Sequence, residues 1–485
     1  MTDLFFRSRI VLTLVSLLFL AFGLTSAPAG PSRFAIVGVS VVDVSAGTTL
    51  PDRTVVVAGD RIETVGPASG VAVPSGTVRI DGRGRFLMPG LIDAHVHFTI
   101  VPQVFGRLLV ANGVVAARDM GQPNESALAL RRQVADGSLL GPELIVTGWL
   151  LDGDPPIIPA AALAVKTPEE GRAAVARQAE AGVDQIKVYS KLEKDVFLAI
   201  VEEAKRRNLA AVGHVPESVW IEDAVSAGLR SLEHLSGFQW LIARLLGVPV
   251  TLKSGGQFNG IEHFLRLGEI DRQRLQEALR PYRESGIAIC PTIVTMKVRA
   301  DDVLAAGFPG GEYVPSELRS MWRTWWTPSQ RELFRALWPN LAKLVRELHE
   351  AGAMLIVGTD LLMPGVVPGF SVHEEMAIWQ DAGIPAADVL RSATLVPARF
   401  LGQQDRLGTV EAGKAASFLL LDADPLADVR NAGRIEGVCL RGRWFDRAAL
   451  DALKREARAL AARPEPARSP RPGGATNRVE STKGS

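Results

Sequence analysis

Between residues 90 and 360 the chain alternates apolar strand-like runs with amphipathic helical stretches, eight times over. The runs cover 90–98, 113–120, 142–150, 184–189, 210–215, 231–235, 286–294 and 353–360. Near-continuous apolarity is what a strand buried on both faces requires. The helical patterns between the runs, such as 168–181 and 195–207, supply the crossovers that parallel strands need. Eight strand–helix units in about 270 residues predict an α/β fold, a (β/α)8 TIM-like barrel with its functional groups at the C-terminal strand ends.

Short strands with turn residues between them flank that region on both sides. They occupy 35–42, 54–57 and 61–65 early in the chain, and 416–421 and 437–444 late. The predicted organisation is therefore a small β-sandwich domain formed by both chain ends, 30–87 and 401–450, around a barrel at 88–400. Two barrel connections are long, 237–279 and 295–348, as expected of pocket walls or lids. A C-terminal helix and a Pro-, Arg- and Ser-rich tail without packing potential fill 451–485.

Residues 1–29 read as a signal peptide: Arg7 and Arg9, an uncharged apolar run from Ile10 to Leu24, then small residues to Ala29. The expected location is periplasmic or secreted, with no stable membrane association after cleavage; retention of the segment as an anchor is the alternative. Without those residues, which carry Arg7, Arg9 and Asp3, the formal charge falls from +1 to zero. Such a balance points away from nucleic acid and towards a small-molecule substrate. It leaves the oligomeric state open, a homo-oligomer included. Cys290 and Cys439, the only two cysteines, sit in apolar runs and read as buried thiols.

Chemistry gathers at the predicted strand ends. The first run closes on Asp93-Ala94-His95-Val96-His97, and alternate strand residues face the same side, so the two imidazoles can share a divalent cation. The fourth run brings Lys187 and Tyr189, the fifth His214, the sixth Glu233 and His234, and the eighth Asp360. Four of the seven histidines, a lysine and an aspartate thus converge on one mouth. An ammonium repels cations, so Lys187 fits this set only after reaction with CO2. The carbamate is an anion with two oxygens that can bridge two cations, and burial favours the neutral amine it forms from. The competing reading is a buried Lys187 paired with Asp360 or Glu233.

Gly90-Leu91-Ile92-Asp93-Ala94-His95-Val96-His97, Ile186-Lys187-Val188, Gly213-His214, Glu233-His234 and Gly358-Thr359-Asp360 resemble the amidohydrolase superfamily of metal-dependent hydrolases. So do Ala393-Thr394-Leu395-Val396-Pro397-Ala398-Arg399 and the segment from Leu407 to Ala416, and the resemblance runs from about residue 35 to 446. Within the superfamily the chain is similar to the branch of imidazolonepropionase, metal-dependent Xaa-Pro dipeptidases and ochratoxin-type amidases. The resemblance implies two divalent cations, expected to be zinc, although the same ligands suit manganese, cobalt or iron. One would be held by His95, His97 and Asp360, the other by His214 and His234, with carboxylated Lys187 bridging. It further implies a hydroxide between the cations as nucleophile, and a scissile carbonyl polarised near His214 and His234. Asp360 would take the hydroxide's proton and deliver it to the leaving nitrogen. A single-metal site using part of this set is the runner-up.

The expected reaction is cleavage of an amide or peptide-like C–N bond. Lactones, esters and phosphotriesters open to the same nucleophile are alternatives, as is a catalytically silent metal-binding barrel. Dipeptidases of this branch carry a tyrosine two residues after the strand-five histidine, where this chain has Pro216. Tyr189, Arg118 and His373 are therefore the candidates for substrate binding, Arg118 with a competing role as partner of Asp119. Trp240, Trp322, Trp325, Trp326 and Trp338 lie in the long connections, and Trp149 lies at the third strand end. Anchoring of those segments is expected for most of them, with one or two available to line an apolar pocket. His263 and His349 read as surface residues of amphipathic helices.

Overall fold

The computed structural model describes residues 33–99, 101–253, 259–301, 307–323 and 325–463. The expected signal at 1–29 and the tail beyond 463 lie outside the described residues. No described helix is long and apolar enough to cross a membrane.

All eight expected runs contain a parallel strand: Leu91–Val96, Val114–Asp119, Glu143–Val146, Gln185–Val188, Ala210–Gly213, Ser231–Glu233, Ala288–Cys290 and Met354–Leu355. The first three form one sheet and the other five belong to a seven-stranded sheet. The seven-stranded sheet is completed by Leu150–Asp152 and Ala162–Ala164. Backbone hydrogen bonds join the two sheets at both seams. Asp184 N–H donates to Val146 O at 2.8 Å; Ala94 N–H donates to Val357 O at 2.9 Å and Asp360 N–H to His95 O at 2.8 Å. Sequence chemistry marks where the crossover helices begin and end. In Pro168–Ala181 the Thr167 hydroxyl accepts the Glu170 N–H, Pro168 opens the first turn, and Gly182 closes the helix in the left-handed conformation.

Strands from both chain ends share one eight-stranded sheet. The strand Arg33–Asp43 pairs along one edge with Thr48–Ala58, and along the other with Val78–Asp81 and then Phe86–Pro89. Phe86–Pro89 pairs in turn with Phe418–Leu421 from the far end of the chain. Side chains alternate cleanly. Phe34, Ile36, Leu87, Phe418, Leu420 and Cys439 form a core within the sheet, while Met88, Leu419, Leu421, Val438 and Leu440 join the main core. The sheet curls on itself: Phe34 and Trp444, four strands apart, have ring centroids 5.6 Å apart, and Ala416 N–H donates to Asp60 O at 2.8 Å.

The long connections fold into helices: Phe238–Leu245 and Arg272–Ser285 in the first, Val294–Ala300, Ser316–Arg323 and Pro328–Glu350 in the second. Both cysteines are buried free thiols, as expected.

Candidate metal centre

The C-terminal strand ends converge. His95 and His97 leave Leu91–Val96 with ring centroids 5.5 Å apart. The His234 ring lies 4.6 Å from His95 and 4.9 Å from His214, so the four imidazoles form one cluster. Asp360 enters from the eighth strand end. Its Oδ1 is 3.5 Å from His95 Nε2 and 3.4 Å from His97 Nε2, and its Oδ2 is 3.9 Å from His234 Nδ1. Two glycines permit this approach. A Cβ on Gly358 would stand 2.5 Å from Cys290 Sγ and 2.9 Å from the His95 backbone nitrogen, and one on Gly213 would stand 2.2 Å from Val188 O. Backbone strain concentrates here as well: His234, Leu235, Thr292, Asp360 and Leu362 all have positive φ.

Each histidine has a partner for its Nδ1. Glu233 Oε2 is 2.8 Å from His95 Nδ1, Gly121 O 3.3 Å from His97, Ser190 Oγ 2.8 Å from His214 and Thr292 Oγ1 2.6 Å from His234. A ring that donates through Nδ1 keeps its lone pair on Nε2, the form a metal ligand requires. His95 Nε2 is itself buried with no hydrogen-bond partner among the described residues. Burial, reinforced by Lys187, holds His95 and His214 well below the usual imidazole range, and burial brings His234 down to about 4. These rings are neutral at pH 7. Burial pushes Asp360 up, but the neighbouring imidazoles outweigh it and hold the carboxyl well below its ordinary range. Neutral imidazoles around an ionised carboxylate, with one ring nitrogen left unpaired, fit a divalent cation.

Lys187 is buried beneath the cluster, its Nζ 5.9 Å from the Tyr189 ring centroid. Its ammonium has no hydrogen-bond or ion-pair contact with Asp360 or Glu233. Burial lowers its pKa to about 8. The expected alternative, a structural ion pair, is therefore not formed. Glu233 is engaged elsewhere, by the Arg118 guanidinium at 2.9 Å, the Ser231 hydroxyl at 2.5 Å and His95.

That engagement corrects the reading of Arg118. The side chain is fully buried below the ligands, with Nε on Ala94 O at 2.6 Å, and further bonds to Ser231 Oγ at 3.0 Å and Glu233. It pairs neither with Asp119 nor with anything at the mouth, because its strand position faces inward and its charge requires a buried carboxylate. His373 is corrected too. Its Nε2 contacts Asn112 O at 2.9 Å, and its ring packs near Gly433 on the outer side of helix Ser371–Asp381, away from the cluster. Tyr189 stays beside the site, its ring 4.1 Å from His214 at a 31° tilt.

The observed roles of two groups escaped the sequence reading. Glu233 precedes a ligand histidine and holds a different one. Asp93 accepts Thr359 Oγ1–H at 2.7 Å and Thr359 N–H at 3.0 Å, tying the loop of Asp360 to the first strand. Both are charged residues inside apolar runs, a signal that each must have a partner on another element.

A cavity opens beside His214 and His234, walled by Val215, Leu235, Phe264, Ile293, Met296 and Leu341. Its polar groups include Glu217 and Gln239. None of the six tryptophans is among its described lining residues. Trp322 is buried against Val314 and Val367, Arg299 lies over the Trp326 ring and Lys297 over the Trp338 ring, and Trp240 meets His263 edge-on, while Trp149 borders a separate hollow with Leu128 and Leu163. The anchoring role expected for most of them extends to all but Trp149 and the exposed Trp325, and the apolar wall comes from aliphatic residues and Phe264. His263 and His349 are half-buried, His349 with Asp388 at 3.4 Å.

The sequence pattern of the amidohydrolase family matches residues 86–445. The chain belongs to the amidohydrolase family. The bottromycin amidohydrolase structure superposes with a TM-score of 0.72 and 27% identity, over 89% of this chain and 91% of that one. A Xaa-Pro dipeptidase with bound methionine gives a TM-score of 0.65 at 20% identity, over 86% and 100% of the two chains, a likeness of fold. An adenine deaminase of Paracoccus denitrificans is 35% identical over 119 residues, 23% of this chain and 20% of that enzyme's length. Membership bears out the expected family, the TIM-like arrangement of its barrel region, and at that level the expected class of this amidohydrolase, a hydrolase acting on C–N bonds.

Proposed function

We propose that this chain is an exported metal-dependent hydrolase that cleaves an amide or peptide-like C–N bond of a small molecule. We read the ring as a closed (β/α)8 barrel spanning 88–400, with 30–87 and 401–450 forming a small β-sandwich and 1–29 an export signal. His95, His97 and Asp360 would hold one divalent cation and His214 and His234 a second, both expected to be zinc, with Lys187 bridging as its carbamate. When bound, such a pair supplies an electrophile for the scissile carbonyl and a water acidified enough to attack it near neutral pH.

The protein's own groups do the rest. Asp360 stands among three imidazoles with both oxygens directed into the cluster, ready to accept a proton from the attacking water and return it to the leaving nitrogen. Glu233, Gly121 O, Ser190 and Thr292 fix the four rings by their Nδ1 atoms, so the Nε2 lone pairs are oriented before any ligand arrives. The apolar wall beside His214 and His234 excludes water from the reacting bond.

The observation that carries this reading is the pairing of a buried, unpartnered His95 Nε2 with a buried Lys187 amine that has no carboxylate partner in the cluster. A buried ring nitrogen without a hydrogen-bond partner is costly unless something completes it. The test is to load the purified full chain with zinc in bicarbonate buffer, count metal per chain, and screen N-acyl amino acids, dipeptides, blocked amides, esters and lactones. Retained metal with C–N cleavage that vanishes in Asp360→Asn supports the proposal. A chain that retains no metal and cleaves no C–N bond overturns it, and cleavage confined to lactones or phosphotriesters moves the enzyme to the alternative substrate class.

A further inference from the structure

The cavity beside His214 and His234 is unusual in its charge. Glu217, three residues beyond His214, is 5% exposed and lines it. Its carboxylate accepts the Asn259 N–H at 3.2 Å and the Asn259 side-chain amide, leaving lone pairs on both oxygens. Gln239, Ser190 and Ser236 are the neutral polar groups nearby, and no lysine or arginine is among the described lining residues. The internal segments outside the described residues, 100, 254–258, 302–306 and 324, contain no lysine or arginine either.

Among the described residues two guanidiniums are buried in this half of the molecule, and neither lines the cavity, although the Asp360 carboxylate acts on Arg299. Arg118 lies below the ligands on Glu233, and Arg299 sits 4.2 Å and 4.8 Å from the ring centroids of Trp326 and Phe334, with Nη1 on Met296 Sδ at 3.3 Å. The two Asn259 bonds meet part of the desolvation cost of this carboxylate, and its remaining lone pairs call for a further donor or a cation. The same carboxylate repels a second anion strongly, because little water screens the pair.

We propose that Glu217 selects the substrate: the site takes an apolar amide that presents an amine or N–H donor next to the scissile bond, and rejects one that presents a free carboxylate there. This rests on the hydrolytic reading above and narrows it away from substrates with a free carboxylate, the ordinary dipeptide included. Glu217 acts on binding and orientation; proton transfer at the scissile bond remains with Asp360.

A matched trio tests it on the metal-loaded full chain: the 3-phenylpropanoyl amides of 1,2-diaminoethane, propylamine and β-alanine, which differ at one end in being cationic, neutral or anionic. A second trio carries the same three groups on the acyl side. The expected kcat/KM falls at least tenfold from amine to propyl and again from propyl to carboxylate in one trio, and the discriminating trio identifies the half of the substrate that faces Glu217. In Glu217→Gln the amine-to-propyl ratio drops to threefold or less, and in Glu217→Lys the order inverts in favour of the carboxylate. A carboxylate preference in the wild type, no discrimination in either trio, or an unchanged ratio in Glu217→Gln overturns the proposal. Calorimetric binding of the same six compounds is measured in parallel. Loss of all turnover would then overturn the hydrolytic reading, while the binding order would still decide the role of Glu217.

Discussion

Glu233→Gln is the substitution that separates a metal-positioning role from a structural one. In the wild type the carboxylate offers one oxygen to the Arg118 guanidinium at 2.9 Å and the other to His95 Nδ1 at 2.8 Å, in a fully buried site. A glutamine has a single oxygen. If it faces Arg118, the amide NH2 meets His95 Nδ1, which must then accept, and the ring proton moves to Nε2, the atom that faces Asp360 at 3.5 Å. That nitrogen can no longer ligate. Removing such an orienting partner weakens metal binding by about 10–100-fold, which is about 1.4–2.8 kcal/mol. The same change leaves the Arg118 charge uncompensated, at a cost to folding of about 3–5 kcal/mol.

Arg118→Met breaks the same ion pair from the other side but leaves the carboxylate on His95. The two variants should therefore lose similar folding stability in denaturant titrations of the metal-free protein, yet Glu233→Gln should lose clearly more metal in dialysis against buffered zinc, because in Arg118→Met an oxygen of Glu233 still accepts from His95 Nδ1 whether or not the carboxyl is protonated. Equal metal affinity in the two variants would refute the tautomer argument and reduce Glu233 to a partner of Arg118.

Thr292→Val removes a neutral partner from His234 and should weaken metal binding by roughly tenfold at most, because a neutral hydrogen bond contributes about 0.5–1.5 kcal/mol; competition with a chelator of known affinity reads this. Asp360→Asn should lower kcat by about 10²–10⁴-fold, the usual worth of a positioned acid–base group, in steady-state assays at matched metal content. Reconstitution of chelated protein with zinc at a fixed concentration of dissolved CO2 should accelerate as pH rises towards about 8 and level off above it, since the Lys187 amine becomes neutral there and only the neutral amine reacts with CO2; a rate flat from about pH 6.5 to 8 at constant CO2 would count against the carbamate. Gly358→Ala should destabilise the chain by about 1–3 kcal/mol in denaturant titrations, because its Cβ would stand 2.9 Å from the His95 backbone nitrogen.

The residues that converge were legible in the sequence because their information is local. A strand buried on both faces announces itself as an apolar run, and a histidine or aspartate at its end is visible against that background. The extent of each strand was less legible. The eighth run extends to Asp360, but its strand is only Met354–Leu355; the rest is held by bonds from Ala94 and to His95, which depend on the other sheet and leave no mark in the run itself. The third run is likewise divided, into Glu143–Val146 and Leu150–Asp152, with Gly148 in the left-handed conformation between them.

Arg118 and His373 were misread for a common reason: their partners are far away in sequence. Arg118 lies 115 residues from Glu233, and His373 lies 261 residues from Asn112. A rule was nonetheless available for the first. An arginine inside Val114–Ala117-type apolar sequence cannot be left unpaired, and Glu233 was a carboxylate in a matching run, weighed only as a partner of Lys187. For His373 nothing comparable exists, since a half-buried histidine on a helix is satisfied by any nearby carbonyl.

The same logic bears on how the centre is organised. Of the four Nδ1 partners, three are neutral and one is an anion, and the anion serves the only histidine whose Nε2 is buried without a partner. Arg118 keeps that anion ionised: burial pushes Glu233 up, but the guanidinium outweighs it and holds the carboxyl well below its ordinary range. Charge is thus passed inward from Arg118 through Glu233 to His95, along a line that carries no solvent and little freedom to rotate. The cavity side is built the other way, with neutral hydroxyls behind His214 and His234 and Glu217 beside them. One half of the cluster is therefore fixed by buried charge and the other by hydrogen bonds that can adjust, which is the division expected where one side must stay assembled while the other accommodates a changing ligand.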